Sequence, residues 1–536
     1  MTTISSVSSL LPTLSGAAAR ALAATPAPPA DITPASTIVA LSPSAASLAS
    51  STDGLPSMQP PVFNAPVWEK KSSDAITSLM TVNYAAQPLS GRYQGLGAAL
   101  LTRLATDGGD YSQSVLQSAT ASSTGATAST LDTLSSNALH GAAANQISLD
   151  IKTADGIKVT VTLGSQDKGL AVQIKSSGKL SDADRAALGQ LAAAFQSAID
   201  GIGAVPPKPD LSGLSHYNAT LLSSLDLHAQ VQLGGGQSQT MDFHADSTQR
   251  SVAMDGPAGA IKVSVDLSHL AGLGDSRQRS AAMDSYLKQF DQAASRGKAD
   301  AAMLTTFKDA FEQMNASLPQ HDTGRASASA LSAGDHAMMT GLADFSASMT
   351  ERPSYINPMR PGEADTFSYQ TSQTTTVGGH GPADRSISQQ QHSHLDASFH
   401  QPLSAGLPLA LDGSKQSQNY YFEQISDDAS SDAEVRYDKG TLAQASVQQT
   451  AQQSTRMMKY VMGQLSEDTT TPTAVRLTRD LLDLLQAAQK KPARTPQDAA
   501  LSQQALAALH NTVLLQPDPS GLHAAGGVAV EPKTAI

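Results

Sequence analysis

The chain contains no cysteine. That removes disulfides, thiolate metal sites and cysteine nucleophiles together, and it fits a protein that passes through, or works in, an oxidising space. Aromatic residues make up 4% and include a single tryptophan, Trp68. Alanine inflates the 40% hydrophobic content, and because alanine buries little area the cores are expected to be thin. Glutamate is scarce: 8 of the 47 acidic residues are Glu, leaving 39 Asp. Aspartate is a cap and turn residue, so this bias predicts short elements and many loops. Lys and Arg total 35 against a net charge of -12 and form no basic stripe. Without one, phosphate counterions cannot be displaced, which excludes nucleic acid as the expected partner.

Long apolar runs are missing too. The most apolar stretch, Ala186 to Ile199, is interrupted by Gln190, Gln196 and Ser197 and is too short to span a bilayer as a helix. The first basic residue is Arg20, and Ser5, Ser6, Ser8, Ser9 and Pro12 break up the N-terminal apolar residues. No secretory signal is therefore expected.

What is present is a repeated β-signal, Ile157-Lys158-Val159-Thr160-Val161-Thr162-Leu163 and Ile261-Lys262-Val263-Ser264-Val265-Asp266-Leu267. Apolar residues alternate with polar ones in both copies, the mark of a strand with one buried face. Each copy follows a Gly-containing turn and precedes an amphipathic helix pattern. The fold class read from this is α+β: repeated antiparallel β-meander modules, each followed by an amphipathic helix or helical hairpin, with disordered N- and C-terminal tails.

Along the chain, residues 1–62 are Ser/Thr/Ala/Pro-rich and read as a disordered leader. A helical segment at 63–117 and a low-complexity linker at 118–145 follow. A hairpin-plus-helix module covers 146–204; its Asp155-Gly156 turn joins two strands, and Ser181 with Asp184 forms a capping box. A longer module, 210–316, ends in a helical hairpin opened by Asp275, with Phe290, Phe307 and Phe311 inward. A helix is expected at 330–350. Residues 364–456 read as a polar Gln/Ser/Thr-rich antiparallel sheet, 472–515 as helices, the first over Thr473 to Gln489, and 516–536 as a disordered tail.

The sequence offers little chemistry. The one candidate metal set is His392, His394 and Asp396, which share a face of a strand at i, i+2 and i+4. Residues 392–396 partly resemble the H-x-H-x-D-H run of metallo-β-lactamase-like hydrolases, but Ala397 stands where the last histidine belongs. His380 and His400 lie nearby. Gly95 and Gly97 mimic the start of a dinucleotide loop, but no strand pattern precedes them and the third glycine is missing, so they read as helix-start glycines. No catalytic residue and no cofactor follow from any motif. The leading functional expectation is a non-enzymatic structural or interaction protein that meets a protein partner through the polar sheet 365–455. A cytoplasmic scaffold and a hydrolase built around the His380–His400 cluster are the alternatives. The first thirty residues, Ser-rich with Ile4 and with no acid before Asp31, resemble type III or flagellar export signals in composition, which implies non-classical export.

Overall fold

The computed structural model describes residues 66–86, 89–117, 131, 133–167, 169–204, 207–316, 318, 331–404, 406, 408–490 and 495–531. All described residues belong to one compact unit. The expected leader and residues 118–130 of the expected linker lie outside the described residues.

The strands are β1 (Pro66–Trp68), β2 (Tyr111–Gln117), β3 (Asn145–Thr153), β4 (Lys158–Gln166), β5 (Gly169–Ser176), β6 (Leu222–Gly234), β7 (Gln237–Asp246) and β8 (Gln249–Asp255), then β9 (Gly259–Asp266), β10 (Asp344–Glu351), β11 (Thr366–Gly378), β12 (Ser386–Pro402), β13 (Tyr420–Asp438), β14 (Thr441–Val461), β15 (Gln464–Asp480) and β16 (Val528–Ala529). The helices are α1 (Ala75–Asn83), α2 (Leu89–Arg92), α3 (Leu96–Asp107), α4 (Thr133–Gly141), α5 (Asp182–Gln190), α6 (Ala192–Ile202) and α7 (Ser212–Ser215), then α8 (Ser276–Gly297), α9 (Ala301–Asn315), α10 (Ala333–Ala337), α11 (Leu482–Lys490), α12 (Pro496–Val513) and α13 (Pro519–Ala524).

All sixteen strands among the described residues form one antiparallel sheet in the order β1-β2-β5-β4-β3-β6 and then sequentially to β16. The two repeat segments become β4 and β9 of this one sheet, each burying its apolar alternates: Val159, Val161 and Leu163 in one, Ile261, Val263 and Val265 in the other. Short turns make sequential pairing cheap. Three hairpins use two residues that both have positive φ: Gly235-Gly236 (60° and 78°), Lys439-Gly440 (51° and 79°) and Met462-Gly463 (51° and 77°). Such turns match the right-handed twist of the strands they join.

The buried face carries the helices. Ser181 and Asp184 cap α5 reciprocally, as Asp275 and Gln278 cap α8. Helices α8 and α9 bring Tyr286, Phe290, Phe307 and Phe311 against Phe345 of β10 and Tyr369 of β11, with ring centroids 4.8–6.4 Å apart. Six of the few aromatics thus meet in this one cluster, where each ring buries a large area. At the other end of the main core, Gly97 of α3 lies so close to α6 that a Cβ would sit 2.4 Å from Ile199. The Gly95-x-Gly97 pair therefore serves helix start and helix packing, with Gly95 as the left-handed N-cap.

Five expectations change. The segment 63–117, expected to be helical, also carries strands β1 and β2, and the expected linker 118–145 carries helix α4. The helix read over Thr473 to Gln489 is strand β15 up to Asp480 and helix α11 from Leu482. Val475 and Leu477 alternate with polar neighbours and are buried as a strand pair, while Leu481 and Leu485 keep the helical spacing. The helix expected within 330–350 is α10 alone, because β10 begins at Asp344. The C-terminal segment from Gln516 carries α13 and β16 before the described residues end at Glu531; buried Leu522 and the pairing of Val475 with Ala529 hold it to β15.

Candidate binding trough

The pleat sends alternate side chains of every strand to the face opposite the helices, and register aligns them into rows. One row runs Asp150, Asp226, His244, Ser251, Ser264, Ser346, Ser372, His392 and Ser430 across β3, β6 to β13. Its neighbour runs Ser148, His228, Asp242, Ala253, Lys262, Ser348, Gln370, His394 and Asp428. Ala253 is the one apolar side chain in either row. The face is concave here and encloses a cavity of about 660 Å³, floored by Ser251, Ser264, Ser346 and Ser372. His244 and His392 bound that serine floor five strand spacings apart, about 24 Å along the sheet at ~4.8 Å per strand.

Imidazole–carboxylate pairs sit at both sides. On β6 and β7 the sequence Asp-x-His occurs twice, Asp226-Leu227-His228 and Asp242-Phe243-His244. Antiparallel register turns the two copies into a reciprocal pair: His244 Nδ1 lies 2.6 Å from Asp226 and His228 Nδ1 lies 2.6 Å from Asp242. His244 Nε2 also meets Asp246 at 3.3 Å. Partial burial opposes protonation of His244, but the two carboxylates outweigh it and raise its pKa. On the far side, His392 Nε2 bonds Asp428 at 2.9 Å, and this bond raises the pKa of His392 and lowers that of Asp428. Asp150 accepts from Thr160 at 2.5 Å and pairs with Lys158 at 3.1 Å.

The residues singled out in the sequence are only partly brought together. His392, His394 and Asp396 do share the outward face, and His394 bonds Asp396 at 2.8 Å while lying 3.6 Å from Asp428. The two Nε2 atoms thus address different carboxylates. Among the described residues no group of three or more His, Asp or Glu side chains is arranged to hold a metal ion. His380 lies in an exposed turn with Asp384. His400 stands on the same face of β12 as His392 and His394, but its side chain is buried between Asp365 at 2.7 Å and Glu363 at 3.7 Å. The sequence reading missed Asp226, His228, Asp242 and His244; the repeated Asp-x-His was visible, but its meaning depends on the β6/β7 register.

The Gln/Ser/Thr rows of β11 to β14 divide by the pleat as well. Gln373, Gln391, Ser431 and Gln449 form a buried row across four strands. Three of them hydrogen-bond backbone at the end of α12 and just after it: Gln391 takes Val513 O at 2.8 Å and Leu515 N at 3.1 Å, Ser431 takes Val513 O, and Gln449 takes Thr512 O and Leu514 O. This half of the polar sheet holds the end of α12 in place and is not available to a partner.

Serine and histidine stand in register at Ser148–His228–Asp242 and Ser251–His244–Asp226, the residue types of a hydrolytic triad. An oxyanion site also needs free N–H donors, and on central strands the ladder uses them. Comparison with protein-family models, with curated proteins and with solved structures finds no match to this chain. No helix among the described residues is long and apolar enough to cross a membrane.

Proposed function

We propose that this chain is a non-enzymatic interaction protein whose working surface is the polar trough, and that its ligand is an extended, basic segment of a partner protein. The observation that carries this reading is the pair of aligned rows across nine strands, made mostly of hydroxyl, carboxylate and imidazole side chains, over the serine floor. Backbone groups of central strands are spent in ladders, so recognition falls to side chains, and many short directional contacts suit a peptide lying across the strands. Asp150, Asp226 and Asp242 line the trough, whereas Lys262 is the only Lys or Arg that does so among the described residues. That balance favours a cationic ligand and disfavours an anionic one. The lack of aromatic side chains on the two rows disfavours ligands held by stacking.

The test is an array of synthetic peptides graded from acidic to basic, probed with the full chain. Basic peptides should be retained, with retention falling as salt rises. The pair Asp226→Asn with Asp242→Asn, on an exposed face, should lose that retention while keeping the wild-type circular dichroism. Retention that ignores peptide charge, or survives Ser264→Arg with Ser346→Arg, overturns the assignment.

A further inference from the structure

On the helix side of the sheet a separate cavity of about 210 Å³ lies between α8, strands β11 to β14 and the segment that follows α12. Two side chains that line it, Gln289 and Tyr369, are each 4% exposed. Their Gln289 Oε1 and Tyr369 OH atoms have no hydrogen-bond partner; the Ser393 and Thr371 hydroxyls lie near the phenol without reaching bonding geometry. The Gln289 amide cannot turn over to relieve this. Its Nε2 donates to Leu515 O at 3.0 Å and approaches Ser285 Oγ at 3.3 Å, so a flip would set oxygen against a carbonyl. Gln289 Oε1 is therefore a fixed, buried acceptor awaiting a donor, and a buried polar group left so calls for an occupant.

The remaining wall defines what fits. Ala293, Leu395, Ala429 and Pro517 contribute apolar surface. The ionic groups beside it are already engaged: Arg296 grips Asp427 with two bonds of 2.5 and 2.9 Å, Asp428 pairs with His392, and Asp518 caps α13 by accepting from Ser520 N at 2.8 Å. An internally neutralised pair asks for no net charge in the ligand. The volume corresponds to roughly seven waters, more than two orphaned atoms need, and the apolar wall gives extra waters no partners.

We propose that this cavity binds one small neutral polyol of roughly four to six carbons, whose hydroxyls donate to Gln289 Oε1 and exchange a hydrogen bond with Tyr369 OH while its carbon skeleton rests on the apolar wall. This site is independent of the trough and lies on the other face of the sheet.

Ligand-observed NMR and calorimetry with erythritol, xylitol and myo-inositol test it on the full chain. At least one should bind the wild type. Tyr369→Phe removes only the unpartnered hydroxyl, so folding should be unchanged while affinity falls about tenfold. Ala293→Met, which fills the cavity from α8, should abolish binding with the circular dichroism unaltered. Absence of binding by all three polyols at millimolar concentration, the result expected of a cavity holding water only, overturns the proposal. So does affinity that is the same in both variants as in the wild type.

Discussion

His244 and His392 show how one residue type, placed by register, sets the charge of a whole surface. Each has a raised pKa because carboxylates face its ring, Asp226 and Asp246 for the first and Asp428 for the second. A raised histidine pKa means that the folded state holds the proton more tightly than the unfolded chain. Its contribution is complete below about 6.5 and is lost as pH rises through the folded value. The lowered pKa of Asp428 works in the opposite sense: its contribution is present above about 3.9 and is lost on acidification through its folded value. Both effects are present together in the window between. In an NMR titration His392 and His244 should therefore give midpoints above about 6.5, and Asp428→Asn should return His392 toward the ordinary value. Midpoints at or below that value would mean the pairs do not form in solution. At this scale the sequence showed His392, His394 and Asp396 and their common face. It did not show that Asp428, on the next strand, would be the partner of His392.

At the scale of elements, the hairpin turns were legible where glycine marks them and less so where a side chain takes the first left-handed position. Met462 adopts φ 51° at the β14/β15 turn and is 45% exposed, so its side chain has little packing to offset the strain. Met462→Asn should stabilise the chain by about 0.5–1 kcal/mol, read as a shift in the denaturant midpoint; a lower midpoint would contradict the turn geometry. The buried glutamine row makes a second prediction. Gln391→Leu removes the acceptor of Leu515 N, at about 1–3 kcal/mol for the orphaned donor, and leaves Val513 O with Ser431 alone. Hydrogen exchange should then quicken over the segment after α12 while β6 to β9 keep their protection, and equal loosening everywhere would show that the row is not what holds that segment. The boundary between β15 and α11 was misread for a related reason. Val475, Leu477, Leu481 and Leu485 satisfy a helical stripe and a strand-then-helix pattern almost equally well.

At the scale of the molecule, a single antiparallel sheet of sixteen strands gives every central strand two neighbours and commits its backbone to ladders. That architecture suits display of side chains on the free face and leaves catalytic N–H donors scarce. A serine-directed phosphonate probe should accordingly leave the chain unlabelled, and covalent labelling at Ser148 or Ser251 would instead support a hydrolase. The sequence by itself determined the α+β class, the alternation that buries one face of β4 and β9, the caps of α5 and α8, and the inward aromatic stripe of α8 and α9. Those features are local: they depend on spacings of two to four residues and on side chains that bond their own backbone. Tertiary structure alone decided that all strands join one sheet, that Asp226 meets His244 and His392 meets Asp428, and that Gln391 and Gln449 turn inward to hold the chain after α12. Each of these depends on inter-strand register or on contacts between residues far apart in sequence. A shift of one residue in register would send every side chain of a strand to the opposite face, and no single strand's sequence carries that information.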